Sequence, residues 1–354
     1  MAQPDLLALT EKLCAIPSVS GNEAALAAEV ERLLVSEAPK LDVERVRNNV
    51  VARTDYGRER RIVFGGHLDT VPPNGNERPR REGDVLHGLG TADMKGGLAV
   101  LLTVAALASQ RAPRHDATFV FYEGEEVADE HNGLRHLFQA RRDLVEGDLA
   151  VLLEPTGGWI EAGCQGTIHV RATFEGARAH SARPWMGINA IHRAAPLLTR
   201  VAGFEAATVD VDGLQYRESL QVVRVSGGIA NNVVPDRCEV VVNRRYAPSR
   251  SLEAAVAEVE ALCADADRVE VLNASPAAPP NLWNPLIAEL TGVYNLPVRP
   301  KLGWTDVARF AAHDIPACNL GPGDPELAHT AREQVARGDL DGCAAVLGAF
   351  LGLS

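Results

Sequence analysis

The sequence predicts an α/β protein: a mostly parallel sheet covered by helices and interrupted by an inserted α+β domain. Three observations carry this prediction. Up to about Cys164, short β-rich runs that stop at polar residues alternate with helical stretches. The middle of the chain then changes rhythm, and after a Pro-rich stretch at Ala274–Pro280 the alternation resumes. At 354 residues the chain is also long for one compact core, which favours two domains or a large insertion.

The elements follow in order. Leu6, Leu7, Leu9, Leu13 and Ile16 recur at helical spacing before Pro17-Ser18 punctuates the chain, and a second helix is expected over residues 22–37. Residues 61–66 read as a strand ending in glycines, followed directly by His67-Leu68-Asp69. Gly96–Leu102 opens a long apolar helix. Residues 117–122 and 148–153 read as strands that stop at Glu123-Gly124-Glu125-Glu126 and at Glu154-Pro155-Thr156. In a parallel sheet the ligand site lies off the carboxyl ends of the strands, where these polar residues fall.

From Gly166 the expected order is strand 166–175, helix 187–202, strands 219–226 and 237–246, helix 251–264 and strand 268–272. That β-α-β-β-α-β order is the ferredoxin-like arrangement. A helix near 305–312, a strand at 315–320 and a Gly/Pro/Asp loop leading to His329 then rejoin the first domain. The expected organisation is residues 1–164 and 279–354 as a catalytic domain in two parts, with 165–278 inserted.

Composition excludes several partners. A formal net charge of -12 argues against nucleic acid and anionic membrane, which need a basic surface. No run approaching ~18–20 apolar residues is read, so no membrane span is expected. The N-terminus has no basic start with an apolar stretch, which points to the cytoplasm. Six cysteines are scattered without a CxxC pair, so buried free thiols are expected rather than disulfides or a thiolate metal site.

The residues with chemistry are individually weak. His67 and Asp69 lie two apart, so extended backbone turns both to one side, and a metal-binding imidazole commonly gives its other N–H to a carboxylate. A loop histidine beside a turn aspartate has the same spelling. Asp93 sits in the glycine-rich run Gly88–Gly97 at a helix start; it is either a helix cap or a carboxylate held where backbone approaches something closely. Glu125 and Glu126 are adjacent after a strand, so one can hold a metal while the other faces a water; paired surface acids are commonly just solvated. Glu154 and His329 close the set. Together, two histidines and several carboxylates at strand ends on one side of a sheet match the N/O ligands of a hydrolytic zinc site. A bridging carboxylate there would hold two metals ~3.5–4 Å apart.

The strings GGHLDTVP, GLGTADMKGG, YEGEEV, LEPT and GPGDPELAH, with GARAHSARPWMGINAI and NNVVPD between the last two, span the chain. They resemble the signature of the M20 family of metallopeptidases and aminoacylases. The resemblance implies a dizinc exopeptidase-like catalytic domain whose inserted domain serves as lid and dimerisation surface. It implies two Zn2+ per subunit, with Co2+ or Mn2+ as substitutes: His67 and Glu154 on one, Glu126 and His329 on the other, and Asp93 bridging them. It implies Asp69 as the residue orienting His67, Glu125 as general base, and a cis peptide bond after Asp93. From the lid it implies His180, given across a homodimer interface to the oxyanion, and Asn231, Asn232, Arg245, Arg178 and Thr305 as contacts for substrate. The expected substrate is a small anionic acyl-amino acid, whose carboxylates suit the planar fork of arginine.

Overall fold

A computed structural model describes Asp5–Leu353. The chain divides into two compact units, one running to Ala162 and taking in Asn281–Arg299 and the chain from Arg309, the other formed by Gly163–Pro280 with Pro300–Ala308. The segment Pro300–Ala308 therefore corrects the expected division, which gave it to the first domain. Its attachments explain this: Gln165 donates its N–H to the Lys301 carbonyl (3.2 Å), and the Trp304 indole donates to the Pro276 carbonyl (3.0 Å).

The first unit is built on an eight-stranded sheet. Its parallel centre comprises Asp116–Tyr122, Arg61–His67, Leu149–Leu152 and Ala317–Asn319. Ile62, Val63, Phe64, Phe119, Val120 and Phe121 are all fully buried, as expected of strands covered on both faces. Asp42–Val46 and Asn49–Arg53 extend the sheet antiparallel on one side, and Ile160–Ala162 on the other. The hairpin turn Arg47-Asn48 has no glycine to mark it in the sequence, although Arg47 adopts φ 59°.

Helix Gly96–Gln110 packs on this sheet with nearly every residue buried. The stretch Thr91–Gln110 is long and apolar enough to cross a membrane, so the expectation that no such stretch exists is corrected; 83% of its apolar window is buried inside the protein, as in a core helix. The helix lies so near strand Arg61–His67 that a Cβ at Gly66 would come within 2.8 Å of Leu98 and 2.9 Å of Met94. Helix Arg337–Phe350 packs against it, and helices Leu6–Cys14 and Ala24–Glu37 complete this layer.

In the second unit four antiparallel strands run in the order Ser219–Gly227, Arg237–Tyr246, Gly166–Glu175, Arg268–Ser275. With helices Ala190–Ala202 and Leu252–Leu262 they give the ferredoxin-like order read from the sequence, plus a hairpin, Thr208–Val211 with Leu214–Arg217, that was not expected. The helices cover one face over Ile168, Val170, Phe174, Val240 and Val242, and Leu197 of the first helix joins the same core. Strand alternation then sends Arg244 into the core, 2% exposed, and leaves Arg245 half-buried on the opposite face.

Candidate metal centre

The predicted ligands of the first unit leave the carboxyl ends of its parallel strands. His67 is the last residue of its strand, pairing with Tyr122 in register. Glu125 and Glu126 follow Tyr122, Glu154 follows strand Leu149–Leu152, and His329 lies in the loop after Ala317–Asn319. The loops after the last two strands are laced together: Thr156 Oγ1 donates to the Gly321 carbonyl and accepts from its N–H, each at 3.1 Å.

The turn Thr91–Lys95, ahead of the buried helix, brings Asp93 to these strand ends, and the Asp93–Met94 peptide is cis. One Asp93 oxygen lies 3.0 Å from His67 Nε2, and the other lies 3.3 Å from His329 Nε2. His329 Nε2 also lies 2.8 Å from Glu126 Oε1. The donor atoms of His67, Asp93 and Glu126 all fall within 4.8 Å of one another, which suits a cation. Glu154 leaves the sheet beside them, 6% exposed, but is not a member of that tight group.

Asp69 organises the other side. It is fully buried, its backbone carbonyl is 3.0 Å from His67 Nδ1, and its Oδ1 is 3.5 Å from the same nitrogen. Its carboxylate also accepts the backbone N–H groups of Glu125 and Glu126 (3.0 Å each) and the Ser20 hydroxyl at 2.8 Å. One residue thus holds an imidazole, through its carbonyl first and its carboxylate second, while the carboxylate fixes the loop carrying both glutamates. Burial works against its charge, yet the His67 contact and the two N–H donors prevail and bring Asp69 down to about 2.

The imidazoles respond in the opposite sense. Burial disfavours a charged His67, but Asp69 and Asp93 outweigh it and raise its pKa well above the ordinary value. Hydrogen bonds to Asp93 and Glu126 raise His329 to about 10. Without a metal, protons on these imidazoles balance the surrounding carboxylates. The donor set is nitrogen and oxygen only, as hydrolytic zinc sites use.

Two contributors were not identified in the sequence. Ser20 braces Asp69, and Glu333, 1% exposed, accepts N–H groups from the Asp93 turn. Neither has a motif of its own: Glu333 reads as one more loop acid beside Arg332, and Ser20 as turn punctuation.

In the second unit the loop carrying His180 pairs with that carrying Asn231 and Asn232: His180 bridges Val233, and Ser181 N–H donates to the Asn232 carbonyl at 2.9 Å. His180, Asn231 and Asn232 are exposed. Arg178 joins them but is already paired with Asp236 at 2.7 Å. Arg245 is not brought to this group. It lies eight residues along the strand from Arg237, a span of ~26 Å at strand rise. Thr305 is buried at 4% exposure, its carbonyl 3.8 Å from the Cys164 thiol.

The chain belongs to peptidase family M20/M25/M40, whose model matches residues 63–352. Two relatives narrow the likeness within the family. The chain is 47% identical over 349 residues to a Mycobacterium tuberculosis protein named "Putative succinyl-diaminopimelate desuccinylase DapE", covering 98% of both chains. It is 45% identical over 354 residues to the succinyl-diaminopimelate desuccinylase of Corynebacterium glutamicum, covering 98% of this chain and 96% of that one. Among solved structures, aminopeptidase PepT of Bacillus cereus matches with a TM-score of 0.81 at 22% identity, over 100% of this chain and 99% of that one. The Bacillus subtilis YXEP protein, described as a dinuclear metal-binding peptidase of family M20, matches at 0.72 and 17% identity, over 98% and 96%.

Proposed function

We propose that this protein hydrolyses the amide of N-succinyl-LL-2,6-diaminopimelate to succinate and LL-2,6-diaminopimelate, a step of lysine and diaminopimelate biosynthesis, with two Zn2+ per subunit. The observation that carries the metal-centre part is the placing of Asp93, one oxygen toward each imidazole at 3.0 and 3.3 Å, as a bridging ligand requires. The substrate rests on the two desuccinylase-named relatives at 45 and 47% identity over nearly the whole chain.

His67 and Glu154 would hold one zinc and Glu126 and His329 the other, with Asp93 shared; the metals would supply Lewis acidity for the scissile carbonyl and lower the pKa of the attacking water. Co2+ or Mn2+, which accept the same nitrogen and oxygen donors, would serve as substitutes. Glu125 takes the proton from that water and returns it to the leaving amine, so atoms balance as amide plus water to acid plus amine. Its backbone N–H, held by Asp69, fixes the loop from which it reaches. His180 meets the oxyanion, Asn231, Asn232 and Arg178 serve the substrate carboxylates, and Arg245 and Thr305, which stand apart from that group, are further candidate contacts for substrate.

The enzyme acts as a homodimer through the inserted domain. Strand Ser219–Gly227 is an edge of its sheet, with Val223 and Val225 exposed at 55 and 48%, an edge suited to pairing with a second copy. The cytoplasm is the proposed compartment, and six buried free cysteines suit reducing surroundings.

The test is kcat/KM on N-succinyl-LL-diaminopimelate against N-acetylornithine with the zinc-loaded enzyme. A clear preference for the succinyl substrate is expected; preference for acetylornithine would move the protein to another deacylase of the same family.

A further inference from the structure

The run Gly88–Gly97 is unusually rich in glycine, and the structure shows what its backbone approaches. Gly90 takes φ 76°, so three N–H groups of the turn converge on one point. The Glu333 carboxylate occupies it. One oxygen accepts from Gly90 N–H, and the other accepts from both Ala92 and Asp93 N–H, all at 3.0 Å. The Glu333 carbonyl accepts a fourth N–H, that of Gly88, also at 3.0 Å. A side chain at Gly90 would meet Thr70 Cγ2 at 3.0 Å in a backbone conformation that side chains rarely adopt, so the position favours glycine.

Glu333 stands four residues after His329, and its own N–H is tied to the Thr330 carbonyl at 3.2 Å. A single short segment thus presents one predicted ligand and grips the backbone of another, the Asp93 turn. Asp93 stands between the two imidazoles, so a shift of its turn would disturb its contacts to both. The Glu333 carboxylate spends its hydrogen bonds on the backbone of the turn, so its grip on Asp93 passes through that backbone.

The geometry points to Glu333 as a positioning residue that sets the affinity of the metal pair by clamping the turn that carries Asp93. This rests on the metal-centre reading above. Glu333→Gln keeps the shape but turns one acceptor into an N–H donor facing backbone N–H groups, so at least one of the three bonds must break. Glu333→Asp keeps the charge and withdraws it by a methylene.

The experiment titrates metal-free protein with Zn2+ against a chromophoric chelator, with circular dichroism to confirm folding, and follows kcat as zinc is raised. Wild type is expected to bind two zinc ions. In Glu333→Gln the weaker site should lose affinity by ~10–100-fold, the range for partners that orient ligands, and added zinc should restore part of the lost kcat. A purely structural residue would lower the melting temperature and leave the zinc affinity of the folded protein unchanged. Wild-type zinc affinity at both sites in folded Glu333→Gln overturns the proposal. If that variant does not fold, Glu333→Asp is read by the same criterion: a weaker second site supports the clamp and an unchanged one overturns it. Failure of wild type to bind zinc would remove the metal centre, and this proposal with it, whereas wild-type binding with unaltered variants removes the clamp alone.

Discussion

Zinc binding should release protons from the two imidazoles, and their number can be worked from the structure. His329 Nε2 contacts Glu126 and Asp93 oxygens at 2.8 and 3.3 Å, and His67 Nε2 contacts Asp93 at 3.0 Å. Carboxylates accept, so in the metal-free protein each nitrogen carries a proton, consistent with His329 near 10 and His67 raised well above its usual value. A metal needs the lone pair where that proton sits. Loading at pH 7.5 should therefore expel about two protons from imidazole, and each should make the affinity rise about tenfold per pH unit. Calorimetry in buffers of different ionisation enthalpy reads the number, and His329→Gln should lower it by about one. Stability carries the matching sign: a raised histidine pKa contributes below its unfolded value near ~6.5 and is lost as pH rises through the folded one. Metal-free protein should thus melt lower at pH 10 than at pH 6.5, while zinc affinity improves over the same interval until hydroxide competes. No difference in proton release between wild type and His329→Gln would refute this account of the site.

Two further outcomes test separate parts. Glu125→Gln should keep its zinc, since Glu126 is the proposed ligand, while kcat falls ~100-fold or more; unchanged turnover would remove Glu125 as the base. In the second unit, Glu218 accepts from Arg244 at 2.5 Å and from Ala247 N–H at 2.9 Å, with both charged side chains almost wholly buried. Glu218→Gln should cost about 3 kcal/mol in urea unfolding of that unit, the lower end for a broken buried pair, because Glu258 lies 3.6 Å from Arg244. A loss below ~1 kcal/mol would mean the pair is not what holds Arg244.

What could be read from the sequence follows from what leaves a period or a punctuation mark. Strands Gly166–Glu175 and Arg237–Tyr246 agree with the sequence at both ends, because glycine or charge bounds a clear β run. The short antiparallel pieces were missed: Val85–His87 pairs with Gln334–Ala336 from the far end of the chain, a partnership no local pattern carries. The same holds at the site. His67, Asp93, Glu126 and His329 were legible because each ends an element or sits among glycines, and the structure brings them together. Glu333 and Ser20 were not, because their partners are backbone groups 240 residues and side chains 49 residues away. Thr305 was placed with the catalytic domain, yet its segment closes against Cys164 and Pro276 in the other unit.

Asp69 and Glu333 also explain why this centre calls for a cation. Each is buried, and each spends its carboxylate on backbone N–H groups of a loop that carries proposed site residues: the base Glu125 and the ligand Glu126 for one, the ligand Asp93 for the other. Backbone N–H donors are fixed dipoles, so they hold a loop firmly but cancel little net charge. The proposed ligand acids Asp93, Glu126 and Glu154 are then added to a neighbourhood that is already negative. Burial raises Glu333 to about 7, an opposition that the charge of Asp93 adds to. Two protonated imidazoles offset part of this, and divalent ions offset more while leaving the imidazoles neutral. The arrangement that makes the loops rigid is thus the one that suits them to a metal. Replacing Asp69 by Asn should accordingly do two things at once: loosen the glutamate loop and lessen the negative charge that draws the cation. Both act against zinc retention, so Asp69→Asn should lose more metal than activity measured at saturating zinc would suggest.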